Sequence, residues 1–75
     1  MNRFKHTSEV NAGTYYADAK TEGNTAGAVL WGNVLYQAIC KRHDSSQGVY
    51  RVKAEEDLGA LAEELKYLSL QFKNN

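Results

Sequence analysis

The sequence is short of three features that usually reveal a protein's class: cysteine, net charge and long apolar runs. Cys40 is the only cysteine, so no disulfide can form within one chain. Nine basic residues balance nine acidic residues, which removes the basic excess typical of nucleic-acid binding. The most apolar segment, 26–40, contains Gly32, Asn33 and Gln37 and falls short of the roughly 18 apolar residues of a membrane span. We therefore expect a soluble protein.

Targeting and metal-binding signals are equally sparse. The charged residues in segment 1–5 are not followed by an apolar run, so they do not resemble a secretory signal, and an unpaired cysteine then favours the cytoplasm. His6, Cys40 and His43 lack the paired spacing of zinc ligands. The sequence predicts neither a metal site nor a cofactor.

The chain of 75 residues has the size of one domain, which we assign to 1–75. Val, Ile, Leu and Phe together make up only 15 of these residues. A chain this short buries roughly 60% of the surface that its unfolded form exposes, so its own core gives little net stability. Since the sequence predicts neither a disulfide nor a structural metal, homo-oligomerisation is the remaining source of additional stability, and we expect it.

Two segments have the periodicity of helices. The C-terminal segment, from about Ala54, carries apolar residues at spacings of three and four: Leu58, Leu61, Leu65, Leu68 and Phe72. The second segment runs from Asn24 or Thr25, either of which can cap it, to Arg42. Apolar residues surround most of its axis, so we expect a sheet, a helix or another subunit to cover it on more than one side.

The remaining segments read best as strands. Segment 49–53 is the strongest candidate and follows a turn-rich linker at 44–48. Segments 4–10 and 14–20 are predicted to be strands joined by a turn at 11–13, although they also allow a helical or irregular structure. The sequence therefore predicts an α+β domain of order ββαβα, with two helices packed on one face of a short antiparallel sheet of two or three strands. The alternative is an all-α fold with an irregular N-terminal arm.

Catalytic patterns are weak throughout the chain. Cys40 and His43 lie one helical turn apart, but a cysteine among apolar neighbours is usually buried and inert. The acidic runs 55–57 and 63–64 fit the solvated face of a helix. Segment 23–27 offers glycines for binding an anion but lacks the P-loop lysine, so we interpret it as the start of a helix. We predict no catalytic residue and no enzyme.

Protein binding is the function that the sequence favours. Aromatic residues make up 11% of the chain, and we predict that Tyr15, Tyr16 and Tyr50 contact a partner. The small size and the absence of enzyme motifs fit the accessory proteins of phages and mobile elements, which inhibit or regulate a larger protein. The predicted protein is thus a homo-oligomer that binds a larger protein partner.

The alternative function is nucleic-acid or nucleotide binding. Its predicted contacts are Lys41, Arg42, Arg51 and Lys53, a local basic cluster despite the zero total charge. The tyrosines and Trp31 would offer stacking surfaces for bases.

Overall fold

The computed structural model describes residues 8–73, and these form three helices and no strand. Helix α1 spans Glu9–Thr21, α2 spans Thr25–Ser45 and α3 spans Val49–Lys73. Helices account for 89% of the described residues. The predicted α+β fold, with its ββαβα order, is therefore wrong, and the all-α alternative is correct in class.

Helix α1 replaces the two strands that were predicted near the N-terminus. Segment 14–20 and the supposed turn at 11–13 both lie inside α1, and of segment 4–10 only residues 8–10 are described. Ser8 caps the helix, because its Oγ accepts a hydrogen bond from the Asn11 N–H at 3.1 Å. The prediction failed because this helix buries alanines and one tyrosine in place of the large aliphatic residues that make a helical period visible.

Segment 49–53, the third predicted strand, forms the first turns of α3. The N–H groups of Arg51 and Val52 donate to the Gly48 carbonyl at 3.1 and 3.2 Å, and Gly48 takes a positive φ of 62°. Valine and tyrosine favour strands only where a neighbouring strand completes the ladder. The described residues provide no such neighbour, so the helix extends five residues further towards the N-terminus than the leucine pattern indicated.

The predicted start of α2 is confirmed. Asn24 is its N-cap and accepts a hydrogen bond from the Gly27 N–H at 2.9 Å, while Gly23 turns the chain with a φ of 74°. The helix ends at Ser45, three residues beyond the predicted end at Arg42. Arg42 and His43 occupy its last turn, where positive charge is favoured by the helix dipole.

Helix α2 lies at the centre of the fold. Helices α1 and α3 each pack along it, and they pack only sparsely against each other. The core between them consists mainly of small residues, and its three largest buried side chains keep 5–6% of their surface exposed: Tyr16, Ile39 and Leu61. The other buried residues in the described part of the chain are Ala12, Ala19, Ala28, Gly32 and Ala54. Small side chains let the helices approach closely but bury little apolar area.

Gly32 is the point of closest approach. A Cβ atom at this position would overlap Cδ2 of Leu65 and would lie 2.9 Å from Cε1 of Tyr16. One residue from α1 and one from α3 thus meet the backbone of α2 at the same place. A methyl group here would require the tip of Leu65 and the ring of Tyr16 to shift.

We expect Gly32→Ala to lower the free energy of unfolding by about 1 kcal/mol, because an overpacking cost of roughly 1–3 kcal/mol exceeds the roughly 0.5–1 kcal/mol that alanine gains in helix propensity. Gly59 is the matched control: it is exposed within α3, and a Cβ there meets nothing within 4 Å. Gly59→Ala should raise the free energy of unfolding by roughly 0.5–1 kcal/mol through helix propensity. Urea unfolding followed by circular dichroism measures both variants, and changes of the same sign would contradict the packing at Gly32.

Candidate functional site

Arg42 joins all three helices from its place near the end of α2. Its Nε donates to Glu9 Oε1 of α1 at 2.8 Å, and its Nη2 donates to Asp57 Oδ2 of α3 at 2.8 Å. These two hydrogen bonds raise the pKa of the Arg42 guanidinium above its usual value. Lys53 approaches the other oxygen of Asp57 at 3.9 Å. The guanidinium therefore ties α1 to α3 at the end of the bundle near the α2–α3 turn.

A second polar link joins α1 to α3 two helical turns further along. The Tyr16 hydroxyl donates to Glu64 Oε1 at 2.6 Å, and the Lys20 ammonium donates to the same oxygen at 3.0 Å. Lys20 Nζ also lies 4.3 Å from the centroid of the Tyr16 ring, in the position of a cation–π contact. The hydrogen bond from Tyr16, followed by that from Lys20, lowers the pKa of Glu64. Burial and the Glu64 carboxylate raise the pKa of Tyr16.

An open groove lies between these two links, and we call it the α1–α3 groove. Its volume is about 290 Å³, and its apolar lining is formed by Leu35, Ile39, Ala60 and Leu61. Its polar lining comes from the two links: Glu9, Asp57, Tyr16, Lys20 and Glu64. Beyond Lys20 and Glu64 a further recess of about 370 Å³ continues along Tyr67, Leu68 and Gln71. The groove exists because α1 and α3 pack against α2 and hardly against each other.

A second surface lies on the α1–α2 pair, and we call it the α1–α2 face. Tyr15 and Trp31 meet there, with ring centroids 4.6 Å apart and ring planes tilted by 37°. Val34 lies one turn further along α2 from Trp31, and Leu30 lies one turn before Val34, so Val34 connects the two on this side of the helix. Tyr15 is 47% exposed and Leu30 is 45% exposed, while Trp31 and Val34 are half-buried. This surface is apolar and aromatic, and none of its four side chains carries a charge.

The three tyrosines predicted to bind a partner lie in different environments. Tyr15 belongs to the α1–α2 face, and Tyr50 is 72% exposed at the start of α3. Tyr16 is only 5% exposed and serves the link to Glu64. Successive residues of a helix point about 100° apart, so Tyr15 and Tyr16 face different surfaces, and the three tyrosines form no common site.

Two of the four basic residues of the alternative function, Arg42 and Lys53, meet at the carboxylate of Asp57. Arg42 is engaged by two carboxylates, and Lys53 lies 3.9 Å from one of them. Lys41 and Arg51 are exposed on α2 and α3. His43, the neighbour of Cys40 in sequence, directs its Nε2 to Glu55 at 3.1 Å and its Nδ1 towards Asp44 at 3.6 Å. The imidazole of His43, the histidine within residues 8–73, is thus directed to carboxylates and not to the half-buried Cys40.

Within residues 8–73, no cluster of His, Cys, Asp and Glu side chains has the arrangement of a metal site. In the same part of the chain, no helix combines the length and apolar character needed to cross a membrane. Comparison of the sequence and fold with known families, characterised proteins and solved structures finds no match. The function must therefore be argued from the surfaces themselves.

Sequence reasoning missed both polar links. Arg42 was predicted to contact nucleic acid and Glu64 to lie on a solvated helix face, and Glu9 and Lys20 had no predicted role. Arg42 lies 33 residues from Glu9 and 15 from Asp57, and Tyr16 lies 48 residues from Glu64. No local pattern encodes pairings of that separation, so only the fold reveals them.

We expect Tyr16→Phe to lower the free energy of unfolding at neutral pH by about 1 kcal/mol, because it removes a hydrogen bond to a half-exposed carboxylate. The pKa of Glu64 is lowered in the folded state, so its contribution is present above its unfolded pKa and is lost as the pH falls through the folded pKa. The difference between wild type and variant should therefore shrink below about pH 4. Unfolding measured across the acid range checks this, with Tyr67→Phe, which changes an exposed tyrosine of α3, as the control. A difference that does not depend on pH would contradict the Glu64 assignment.

Proposed function

We propose that this protein is a non-enzymatic interaction protein that binds a larger protein partner through the α1–α2 face. The observation that supports the proposal is the contact between the tilted rings of Tyr15 and Trp31, which is partly exposed on the α1–α2 face. Tyrosine and tryptophan are the residues most enriched where binding energy concentrates in protein interfaces. The protein would act by occupying the partner's surface.

The chemistry of the face favours a protein over a nucleic acid. The cores of protein interfaces are depleted in charged residues and enriched in aromatic ones, and Tyr15, Leu30, Trp31 and Val34 fit this composition. Binding to phosphates would require cations, and Arg42, which the sequence suggested for that role, is held by Glu9 and Asp57. A partner that is recognised by shape and apolar contact suits the α1–α2 face better.

The thin core supports self-association through the same surface. Helix α2 is apolar around most of its axis, but α1 and α3 leave the side of Leu30 and Val34 open. Covering these residues in a second copy would remove apolar area from water and add stability that the small core does not provide. We therefore propose a homo-oligomer in the absence of the partner, with the α1–α2 face as the shared contact.

The first test compares Tyr15→Ala with Tyr67→Ala, which removes an equally large exposed ring from α3. Light scattering on the eluting protein should give a wild-type mass that is a multiple of the 8.4 kDa chain. Tyr15→Ala should weaken self-association by at least about tenfold, since loss of a central aromatic contact typically has an effect of that size. Tyr67→Ala should leave it unchanged.

The same two variants test partner binding. Immobilised wild-type chain is used to capture a partner, and the affinity of that identified partner is then measured for each variant at two salt concentrations. We expect Tyr15→Ala to weaken binding and the affinity to change little with salt. If both variants bind like wild type, or if the captured species is nucleic acid that dissociates at high salt, the proposed function is wrong.

A further inference from the structure

The Lys20 ammonium occupies a binding position for a cation. It lies 4.3 Å from the Tyr16 ring centroid and 3.0 Å from Glu64 Oε1, so an aromatic face and a carboxylate hold it together. The Tyr16 hydroxyl donates to the same oxygen, which fixes the carboxylate and leaves Oε2 for a further donor. Both partners of the ion pair remain substantially exposed, with 39% of the Lys20 side chain and 50% of the Glu64 side chain accessible. Exposed pairs of this kind contribute little, so a competing ammonium can displace Lys20.

The α1–α3 groove has room for more than this ammonium. Its volume of about 290 Å³ extends over an apolar floor whose accessible surface comes mainly from Leu35 and Ala60, since Ile39 and Leu61 beneath them are buried. The Lys20 side chain occupies the end of the groove where its ammonium contacts Glu64. The other end is lined by Glu9 and Asp57. An external ligand with an apolar stem would cover the floor and place its ammonium at Glu64.

The charges around the groove favour a cation over an anion. Three carboxylates line it, from Glu9, Asp57 and Glu64, and the one cation among the lining residues is Lys20. Arg42 compensates Glu9 and Asp57 together, and Lys53 reaches Asp57 only at 3.9 Å. If Lys20 leaves the groove, the Glu64 end becomes negative and unpaired, and an anion would be repelled there.

From this geometry we infer that the α1–α3 groove is a binding site for a primary ammonium group on an apolar stem, with Lys20 as an internal occupant that the ligand displaces. The source to which we commit is a lysine side chain of a partner protein, and this part rests on the proposed function. The site itself does not depend on that function. Lys20 competes with the ligand for the site. The apparent affinity for the ligand is therefore the intrinsic affinity multiplied by the fraction of molecules whose site Lys20 does not occupy.

The test is a nuclear magnetic resonance titration with 2-phenylethylammonium chloride, followed through the backbone amides. The isosteric anion phenylacetate is the ligand control. Lys20→Met keeps an apolar side chain and removes the charge, and Lys66→Met does the same on the outer side of α3. We expect saturable shifts at Ala60, Leu61 and Glu64, with a dissociation constant on the order of 10 mM in wild type for a ligand of this size.

Lys20→Met should bind the ammonium about fivefold more tightly than wild type, because the internal competitor is gone. Lys66→Met should match wild type, and Glu64→Gln introduced into Lys20→Met should abolish the gain while still accepting the Tyr16 hydrogen bond. Lys20→Gln gives the same comparison if Lys20→Met folds poorly. Equal shifts with phenylacetate, or no gain in either Lys20 variant, would overturn the inference.

The titration uses no partner protein, and its variants leave the α1–α2 face intact. A failed titration would therefore remove the ammonium site and leave the proposed function standing. Loss of partner binding in Tyr15→Ala, on the other hand, tests the face without touching the groove.

Discussion

The fold depends on how closely α1 and α3 can approach the backbone of α2 at Gly32. Tyr16 from one side and Leu65 from the other use the space that a side chain would fill. Fully buried alanines on each helix, Ala12, Ala28 and Ala54, continue this close packing away from the glycine. Packing through small residues gives many short contacts but little buried apolar area per residue. Within residues 8–73, close approach leaves a core in which Tyr16, Ile39 and Leu61 are the nearly buried large side chains.

This thin core gives the polar links between α1 and α3 their importance. Each outer helix is placed by its packing on α2, and because the two hardly pack against each other, the links at Arg42 and Glu64 are the polar contacts that join them directly in the described residues. Both links lie near solvent, where salt and water weaken ion pairs. They can therefore define a geometry without closing the space between them, and the α1–α3 groove is that space. A larger apolar residue in place of the exposed Ala60 would fill part of this space.

The sequence predicts the elements whose signals are local. The Asn24 cap marked the start of α2, and the spacing of the leucines identified the body of α3. The prediction of a strand at 49–53 was wrong because valine and tyrosine favour strands only where a neighbouring strand pairs with them. The described residues contain no such strand, and the segment is helical. Helix α1 was not predicted because alanine contributes little to a hydrophobic pattern. Two signals did indicate this helix: Ser8 as a capping residue, and the spacing of Ala12, Tyr16 and Ala19 at four and three residues. The two polar links could not be predicted from local patterns, because their partners are 15 to 48 residues apart in the sequence.

The directions of Tyr15 and Tyr16 also differ between the predicted strand and the helix α1 that the structure contains. On a strand, Tyr15 and Tyr16 would point to opposite sides, and one of them would be free for a partner. On the helix they diverge by about 100°, so Tyr15 enters the α1–α2 face while Tyr16, with Lys20, enters the groove. One helix of 13 residues thus supplies side chains to both surfaces. A shift of α1 along α2 would move both sets together, so the contact at Gly32 that holds α1 in place also fixes the geometry of both surfaces.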